Sequence, residues 1–344
     1  MSEHAGPAPS IPGPGPAITR ARRELSVLIV TYNSSRWITA LLACLAKELI
    51  GLAAEVIVID NASQDGSAEE VARTHPWVRL LRSPSNLGFA AANNVAAKHA
   101  LGRVLLLLNP DATPAPGSLR RGLEILQADD TIGLAGGRLT DTSGRLQPSA
   151  RMFPSFLQEF IILSGLAGRF PRSKFFGHVD RTWANPAVDA DVDWIPGAFA
   201  FVRSDVFTQL GGFDERFFLY YEEVDLCRRL RQAGYRIQYR PELHAYHLGG
   251  ASAQTVTGAT VARAGSQLTL WRARSGLLYY RKNHGWLTAW AVNRLERGWH
   301  CLRAARARAI GQPLKMLESS QHRALLAQAW VDTLGGQIAP PRPW

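Results

Sequence analysis

Residues 105–111 read LLLLNPD. Four consecutive leucines suit a strand buried on both faces, as in the middle of a parallel sheet. Pro110 has no N–H to give to a ladder, so pairing is expected to stop there. Asp111 then stands at the carboxyl end of a central strand, the edge where open α/β sheets bind ligands. A turn bearing Asp is also common after a strand with no ligand at all, so the neighbouring sequence has to decide.

Outward from that strand the pattern repeats. SVLIVT (26–31), EVIVI (55–59) and Val78–Arg82 are β-branched or apolar runs bounded by turn residues, and each predicts a strand. Helices are expected from Trp37 to Leu49, from the DNASQDGS turn (60–67) to Thr74, and through the alanine-rich stretch 86–102. Strand and helix alternate from Ser26 to Leu108, which predicts an α/β fold with a Rossmann-like, mostly parallel central sheet flanked by helices. Beyond it, Gly133–Leu139, Leu146–Phe153 and Ala198–Arg203 read as shorter, mixed strands. Residues 154–190 read as an irregular aromatic insertion. Val206–Leu210 is a helical turn, Glu222–Ala233 a helix ended by Gly234, and Tyr235–Tyr239 a strand. A basic, tryptophan-bearing helical extension begins near Gln267.

At 344 residues, with 46% hydrophobic and 19% charged side chains, the chain is globular with ample core. Its net charge of +11 is concentrated late: residues 266–344 carry 12 Lys or Arg against 3 Asp or Glu. That asymmetry points to an anionic surface as partner for the extension and argues against an all-round nucleic-acid binder. Cys44, Cys227 and Cys301 fit neither a disulfide framework nor a zinc site. Residues 1–24, rich in Pro, Gly and Ala, read as a disordered leader. No apolar run approaches the roughly 18 residues that cross a bilayer, so a cytoplasmic location is expected. Within the extension, Val292, Leu295, Trp299 and Leu302 recur at helical spacing among arginines. Two readings stay open for them, a helix lying on an anionic membrane face or a helix packed on its own domain.

A dinucleotide fingerprint and a P-loop are both absent. Asp60 ends the second strand and reads equally as an Asx-turn residue or as an acceptor for ribose or base. The most informative stretch is FDERFFLYYEEVD (213–225). Three acids follow a wall of aromatics. A helix N-terminus favours acids through its dipole, yet a carboxylate against aromatic rings also loses hydration and gains the basicity of a general base.

Taken together, VTYNSS (30–35), VIVIDNASQDGS (56–67), NLGFAAANN (86–94), LLLLNPDA (105–112), the long segment 196–241 and HAYHLGG (244–250) resemble the family 2 inverting glycosyltransferases of GT-A fold, and among them the rhamnosyltransferase-like branch of cell-wall and surface-polysaccharide synthesis. The likeness covers roughly residues 25–285. It implies a glycosyltransferase domain over 25–265, with a nucleotide-sugar half (25–112) and an acceptor half (113–265), then the extension 266–344. It also implies a divalent metal, Mg²⁺ or Mn²⁺, held by Asp111 and His247, with Asn109 in place of the first acid of the usual pair. Thr31, Tyr32, Asn33, Asp60, Asn61, Asn86, Gly88, Asn109 and Asp111 would contact the nucleotide-sugar. Trp194, Gly197 and Glu222 would border the acceptor, and Glu223 would be the catalytic base. His247 retains a purely structural reading beside the metal one.

The donor implied first is dTDP-L-rhamnose, with a UDP-hexose or UDP-galactofuranose also open. The acceptor implied is a glycan or a polyprenyl-linked sugar, met by a protein peripheral at the inner face of the plasma membrane. The competing reading is a non-catalytic nucleotide-sugar or carbohydrate binding protein whose Asn109 marks a lost metal site. A third, nucleic-acid binding through the basic extension, would show salt-sensitive DNA or RNA binding.

Overall fold

The computed structural model describes residues 23–249 and 261–342. Elements alternate through the first part of the chain: β1 (Arg23–Thr31), α1 (Ser35–Glu48), β2 (Ala54–Asp60), α2 (Ser67–Thr74), β3 (Arg79–Arg82), α3 (Gly88–Lys98) and β4 (Gly102–Leu108). There follow β5 (Ala112–Pro114), α4 (Ser118–Ala128), β6 (Ile132–Thr140), β7 (Leu146–Gln147), α5 (Phe156–Leu163), α6 (Leu166–Arg169), β8 (Ala190–Asp191), β9 (Phe199–Arg203), α7 (Ser204–Gln209), α8 (Glu222–Gln232) and β10 (Arg236–His247). Three long helices close the chain: α9 (Val261–His284), α10 (Trp286–Ala309) and α11 (Pro313–Asp332).

The strands form one sheet in the order β3-β2-β1-β4-β9-β6-β10-β5, with β7 on β6 and β8 on β10. Pairing is parallel from β3 through β4 and mixed beyond it, because β9 runs antiparallel to both β4 and β6. The continuous apolar runs have a direct cause. Leu28, Ile57, Leu105 and Leu107 enter one core, while Val27, Ile29, Val58, Leu106 and Leu108 enter the other, so alternate side chains meet helices on opposite faces. The apolar positions of α1, Ile38, Leu41, Leu42 and Leu45, are buried at helical spacing.

Several expectations need correction. Of Leu146–Phe153 only Leu146–Gln147 pairs as a strand, since Pro148 lacks an N–H to continue it. The irregular stretch 154–190 contains α5, capped by Ser155, whose hydroxyl accepts from the Gln158 N–H. Its sequence FLQEFIIL is apolar on nearly every side, so no helical period marks it. α4 also escapes pattern reading, because Gly122 interrupts it. A Cβ there would stand 2.4 Å from the Phe201 ring, so this glycine serves helix–sheet contact rather than a break. Of the leader assigned to 1–24, Arg23 and Glu24 already belong to β1, and the remainder lies outside the described residues. The boundary at 265/266 falls inside α9.

The α10 stripe divides. Val292 is 5% exposed against the helical layer, whereas Leu302 is 67% exposed. Packing on α9 and α11 uses one part of the expected face and leaves the other free. Among the described residues no helix is long and apolar enough to cross a membrane.

Candidate active site

The chain leaves β1 toward β2 on one side and returns as β4 on the other. This reversal opens a crevice at the carboxyl ends of the strands. Tyr32 follows β1, Asn61 follows β2, and Asn109 to Asp111 follow β4. There the ladder does stop: the Ala112 N–H turns back to the Asn109 carbonyl at 3.1 Å, and the Asn109 N–H reaches the Ala198 carbonyl at 3.1 Å.

A cavity of about 330 Å³ occupies the crevice. It brings together Tyr32, Asn61, Asn86, Gly88, Asn109, Asp111, Gly197, Glu222, Glu223 and His247, all anticipated from the sequence. Thr31, Asn33 and Asp60 lie behind this wall. Asn33 shapes the loop, its amide oxygen accepting from the Gln64 N–H at 2.8 Å. Asp60 is buried, with Oδ2 accepting from the Ser63 N–H at 3.1 Å and Oδ1 lacking a hydrogen bond. Trp194 borders a second cavity of about 410 Å³. The two cavities share Pro196, Tyr220, Glu223 and Leu268, so Glu223 stands at their junction.

The Asn61 amide donates to Asn86 Oδ1 at 2.8 Å, and its oxygen accepts from the Leu87 N–H at 2.8 Å. This clasp fixes the entry to α3. Gly88 has φ +80°, and a Cβ on it would stand 2.3 Å from the Phe218 carbonyl oxygen. That same oxygen accepts from the Phe89 N–H at 2.8 Å. The approach ties the loop that enters α3 to the aromatic segment that leads into α8.

Tyr220 and Tyr221 both hold left-handed backbone angles, φ 71° and 67°, a costly choice for bulky residues and one that clusters at functional sites. The next two residues, Glu222 and Glu223, begin α8 and face the cavity. Burial raises the pKa of both carboxyls, and the neighbouring Glu223 charge raises Glu222 further. For Glu223 the rise is opposed by the Gly197 backbone N–H and by Arg151. One oxygen of each glutamate is buried without a hydrogen-bond partner. Asp225, the third acid, is fully buried in ion pairs with Arg229 at 2.9 Å and Lys282 at 2.7 Å, and so serves structure.

Register delivers the other end of the site. His247 of β10 pairs with Ala112 of β5, beside Asp111. His247 Nε2 lies 3.5 Å from Asp111 Oδ1 and 3.4 Å from the Asn109 amide nitrogen. Gln147 fixes the ring. Its amide nitrogen donates to the His247 carbonyl at 2.7 Å, which leaves its oxygen to accept from His247 Nδ1 at 2.8 Å. A neutral imidazole so held turns an unprotonated Nε2 toward a carboxylate, an arrangement that a cation or proton between them reconciles. Among the described residues no group of three or more His, Cys, Asp or Glu is placed to hold a metal. A hard divalent ion here would take its remaining ligands from outside the chain, as diphosphate oxygens and water. The donor set fits such an ion on those terms.

Sequence reasoning missed Gln147, Phe89 and the α9 contribution. Phe218 and Trp271 stack with ring centres 4.3 Å apart at 26°, and both line the first cavity with Gln267 and Leu268. The Ser275 hydroxyl of α9 donates to the Leu219 carbonyl at 2.8 Å. These are long-range contacts, and no local motif announces them.

Residues 26–181 match the family described as glycosyl transferase family 2. Over 240 residues the chain is 32% identical to an N-acetylglucosaminyl-diphospho-decaprenol L-rhamnosyltransferase of Mycobacterium tuberculosis, covering 65% of this chain and 75% of that one. It is 30% identical over 172 residues to rhamnosyltransferase WbbL of Escherichia coli K12, 46% of this chain and 60% of that one. Among solved structures, the mannosyltransferase PcManGT from Pyrobaculum calidifontis, in complex with GDP-Man and Mn²⁺, aligns with a TM-score of 0.55 at 19% identity. The alignment covers 92% of this chain and 89% of that one, a likeness of fold.

Proposed function

The chain belongs to glycosyl transferase family 2, and on that premise we propose that it transfers L-rhamnose from dTDP-L-rhamnose to a lipid-linked sugar with inversion at the anomeric carbon. It is a nucleotide-sugar-dependent glycosyltransferase, and rhamnosyltransferases among its relatives support the donor. One observation carries the reading: Asp111 and Glu223 line one cavity, and Glu223 alone among the acids reaches the second cavity as well.

In this reading the nucleotide-sugar fills the first cavity. The Asn61–Asn86 clasp receives the nucleoside, with Asp60 supporting the turn behind it, and Asn109, Asp111 and His247 face the diphosphate. Asp111 and His247 would hold a divalent cation, which when bound neutralises charge on the departing diphosphate. The acceptor enters from the second cavity past Trp194, with Gly197 and Glu222 at the border. Glu223 takes the proton of the attacking hydroxyl, and its raised pKa suits that task. The hydroxyl oxygen attacks the anomeric carbon opposite the leaving group, so a single displacement inverts that centre. No glycosyl-enzyme intermediate is needed, unlike the route of retaining hydrolases.

We place the protein at the inner face of the plasma membrane as a peripheral enzyme. Trp286, Leu287 and Trp290 are exposed at the start of α10 beside the basic end of α9, a composition suited to an anionic interface. The non-catalytic alternative is not favoured, since the relatives are transferases and the acids converge. Purified protein with Mg²⁺ or Mn²⁺ is to be tested against a panel of nucleotide-sugars and a prenyl-diphosphate-linked N-acetylglucosamine. Release of dTDP and a product of opposite anomeric configuration are expected. Retained configuration, or equal turnover of every donor, would overturn the reading.

A further inference from the structure

Residues 156–175 carry a surface that the chemistry above does not use. The segment folds back on itself. α5 runs to Leu163, Gly165 turns at φ +76°, and α6 follows. The Gln158 side chain then ties the return, donating to the Phe175 carbonyl at 3.5 Å. Along α5, Phe156, Leu157 and Phe160 share one face, while Gln158 and Ile161 are buried on the other. Phe176 gathers the far end, its ring 5.2 Å from those of both Phe170 and Phe175. Phe156, Leu157, Phe160, Ile162, Phe170 and Phe175 are each 42–55% exposed. Single exposed apolar groups are ordinary, but six in one folded-back unit mark an interaction surface.

The charges decide the partner. Arg169, Arg172 and Lys174 are exposed in the same unit, and none of them is in an ion pair among the described residues. Arg169 lies over the Phe170 ring at 5.8 Å and Lys174 over the Trp183 ring at 5.1 Å, so cations and rings lie side by side. Glu159 is the one acid in this stretch, and it is engaged in accepting from the Tyr280 hydroxyl at 2.7 Å. The start of α10 differs. Its apolar side chains are exposed, but the cations beside it are occupied: Lys282 pairs with Asp214 and Asp225, each at 2.7 Å, and Arg281 reaches the Leu334 carbonyl at 3.4 Å. An apolar face flanked by unpaired cations, with no exposed acid, complements hydrocarbon beneath anionic headgroups. A second copy of the chain fits it poorly, because an isologous contact brings like charges together.

We propose that residues 156–175 are the membrane-docking element of this protein. Phe156, Leu157, Phe160, Phe170 and Phe175 enter the apolar layer of an anionic bilayer, and Arg169, Arg172 and Lys174 meet its headgroups. This rests on the peripheral placement given above and moves its main contact from α10 to α5 and α6. Ile162 of the same unit lines the second cavity, so docking seats that cavity beside the bilayer.

The test is co-sedimentation of the full chain with vesicles of phosphatidylcholine, with and without phosphatidylglycerol. Wild type is expected to favour the anionic vesicles by ~100-fold, the worth of three cations at a charged surface, and to release them in high salt. R169Q/R172Q/K174Q should lose most of that preference. F156S/L157S/F160S should weaken binding to anionic vesicles at least ~10-fold, and W286S/L287S/W290S should weaken it less. The substituted side chains are exposed, so the variants should keep the wild-type melting profile. Unchanged affinity in F156S/L157S/F160S, or an intact lipid preference in R169Q/R172Q/K174Q, would overturn the proposal. Binding lost in W286S/L287S/W290S and kept in the α5 variant overturns it while the peripheral placement stands. A chain that turns over nucleotide-sugar yet ignores both vesicles overturns proposal and placement together and leaves the transferase reading intact. A dimer that F156S/L157S/F160S dissociates, with no vesicle binding, gives the face to a second copy and likewise overturns the proposal.

Discussion

Replacing Gly88 by Ala separates two costs that a single glycine carries. The residue has φ +80°, where a side chain costs about 1–2 kcal/mol. It also lies where a Cβ would meet the Phe218 carbonyl oxygen at 2.3 Å and the Phe218 ring at 2.7 Å. Neither backbone can yield without opening the Phe89 N–H to Phe218 carbonyl hydrogen bond of 2.8 Å, worth about 0.5–1.5 kcal/mol net. Gly66 is the matched control, since it has φ +82° with nothing within 4 Å of a built Cβ. Urea unfolding should therefore show G66A destabilised by ~1–2 kcal/mol and G88A by ~1.5–3.5 kcal/mol. The difference has a functional signature. Phe218 leads through two strained tyrosines to Glu223, so its displacement moves the proposed base. Misplacement by about 1 Å can cost ~100-fold in rate, and G88A should lose turnover on that scale while G66A keeps it. Equal unfolding energies for the two variants, or full turnover in G88A, would refute the claimed coupling between the α3 entry and the α8 acids.

Two other outcomes follow from the same geometry. Q147A releases the His247 ring, and Mn²⁺ affinity in the presence of dTDP, read by electron paramagnetic resonance, should fall ~10–100-fold; unchanged affinity would remove His247 from the metal site. Glu296, whose folded pKa of about 8 exceeds the unfolded value, stabilises the fold fully below about pH 4.5 and loses that contribution as pH rises to about 8. E296Q should flatten the decline in urea-derived unfolding free energy between pH 5 and 9, which for one group has a slope of at most ~1.4 kcal/mol per pH unit. Parallel wild-type and variant lines would contradict the assignment.

The first half of the fold was legible because both faces of β1, β2 and β4 are covered, which writes a continuous apolar run into each strand. LLLLNPD announced its own end because Pro110 breaks the ladder, and Asp111 then had one place to go. α5 was illegible for the opposite reason: its outer face stays apolar, so no period separates inside from outside. α4 was hidden by Gly122, a packing glycine that looks like a breaker. Within the site, the acids and asparagines stood in local motifs, but the Gln147–His247 contact spans a hundred residues and the Phe218–Trp271 stack joins a loop to a helix assigned to the tail. Contacts of that kind depend on the sheet order, which the sequence does not spell out locally.

The placement of Glu223 between donor and acceptor is tested most directly by the single-turnover rate of E223Q with saturating donor, metal and lipid-linked acceptor. A fall of ~10²–10⁴ is expected, the usual worth of a general base, with donor affinity by calorimetry within about threefold of wild type because the amide keeps the shape of the cavity wall. A rate within tenfold of wild type would mean that some other group takes the proton, and the shared wall of the two cavities would then not be where the chemistry happens.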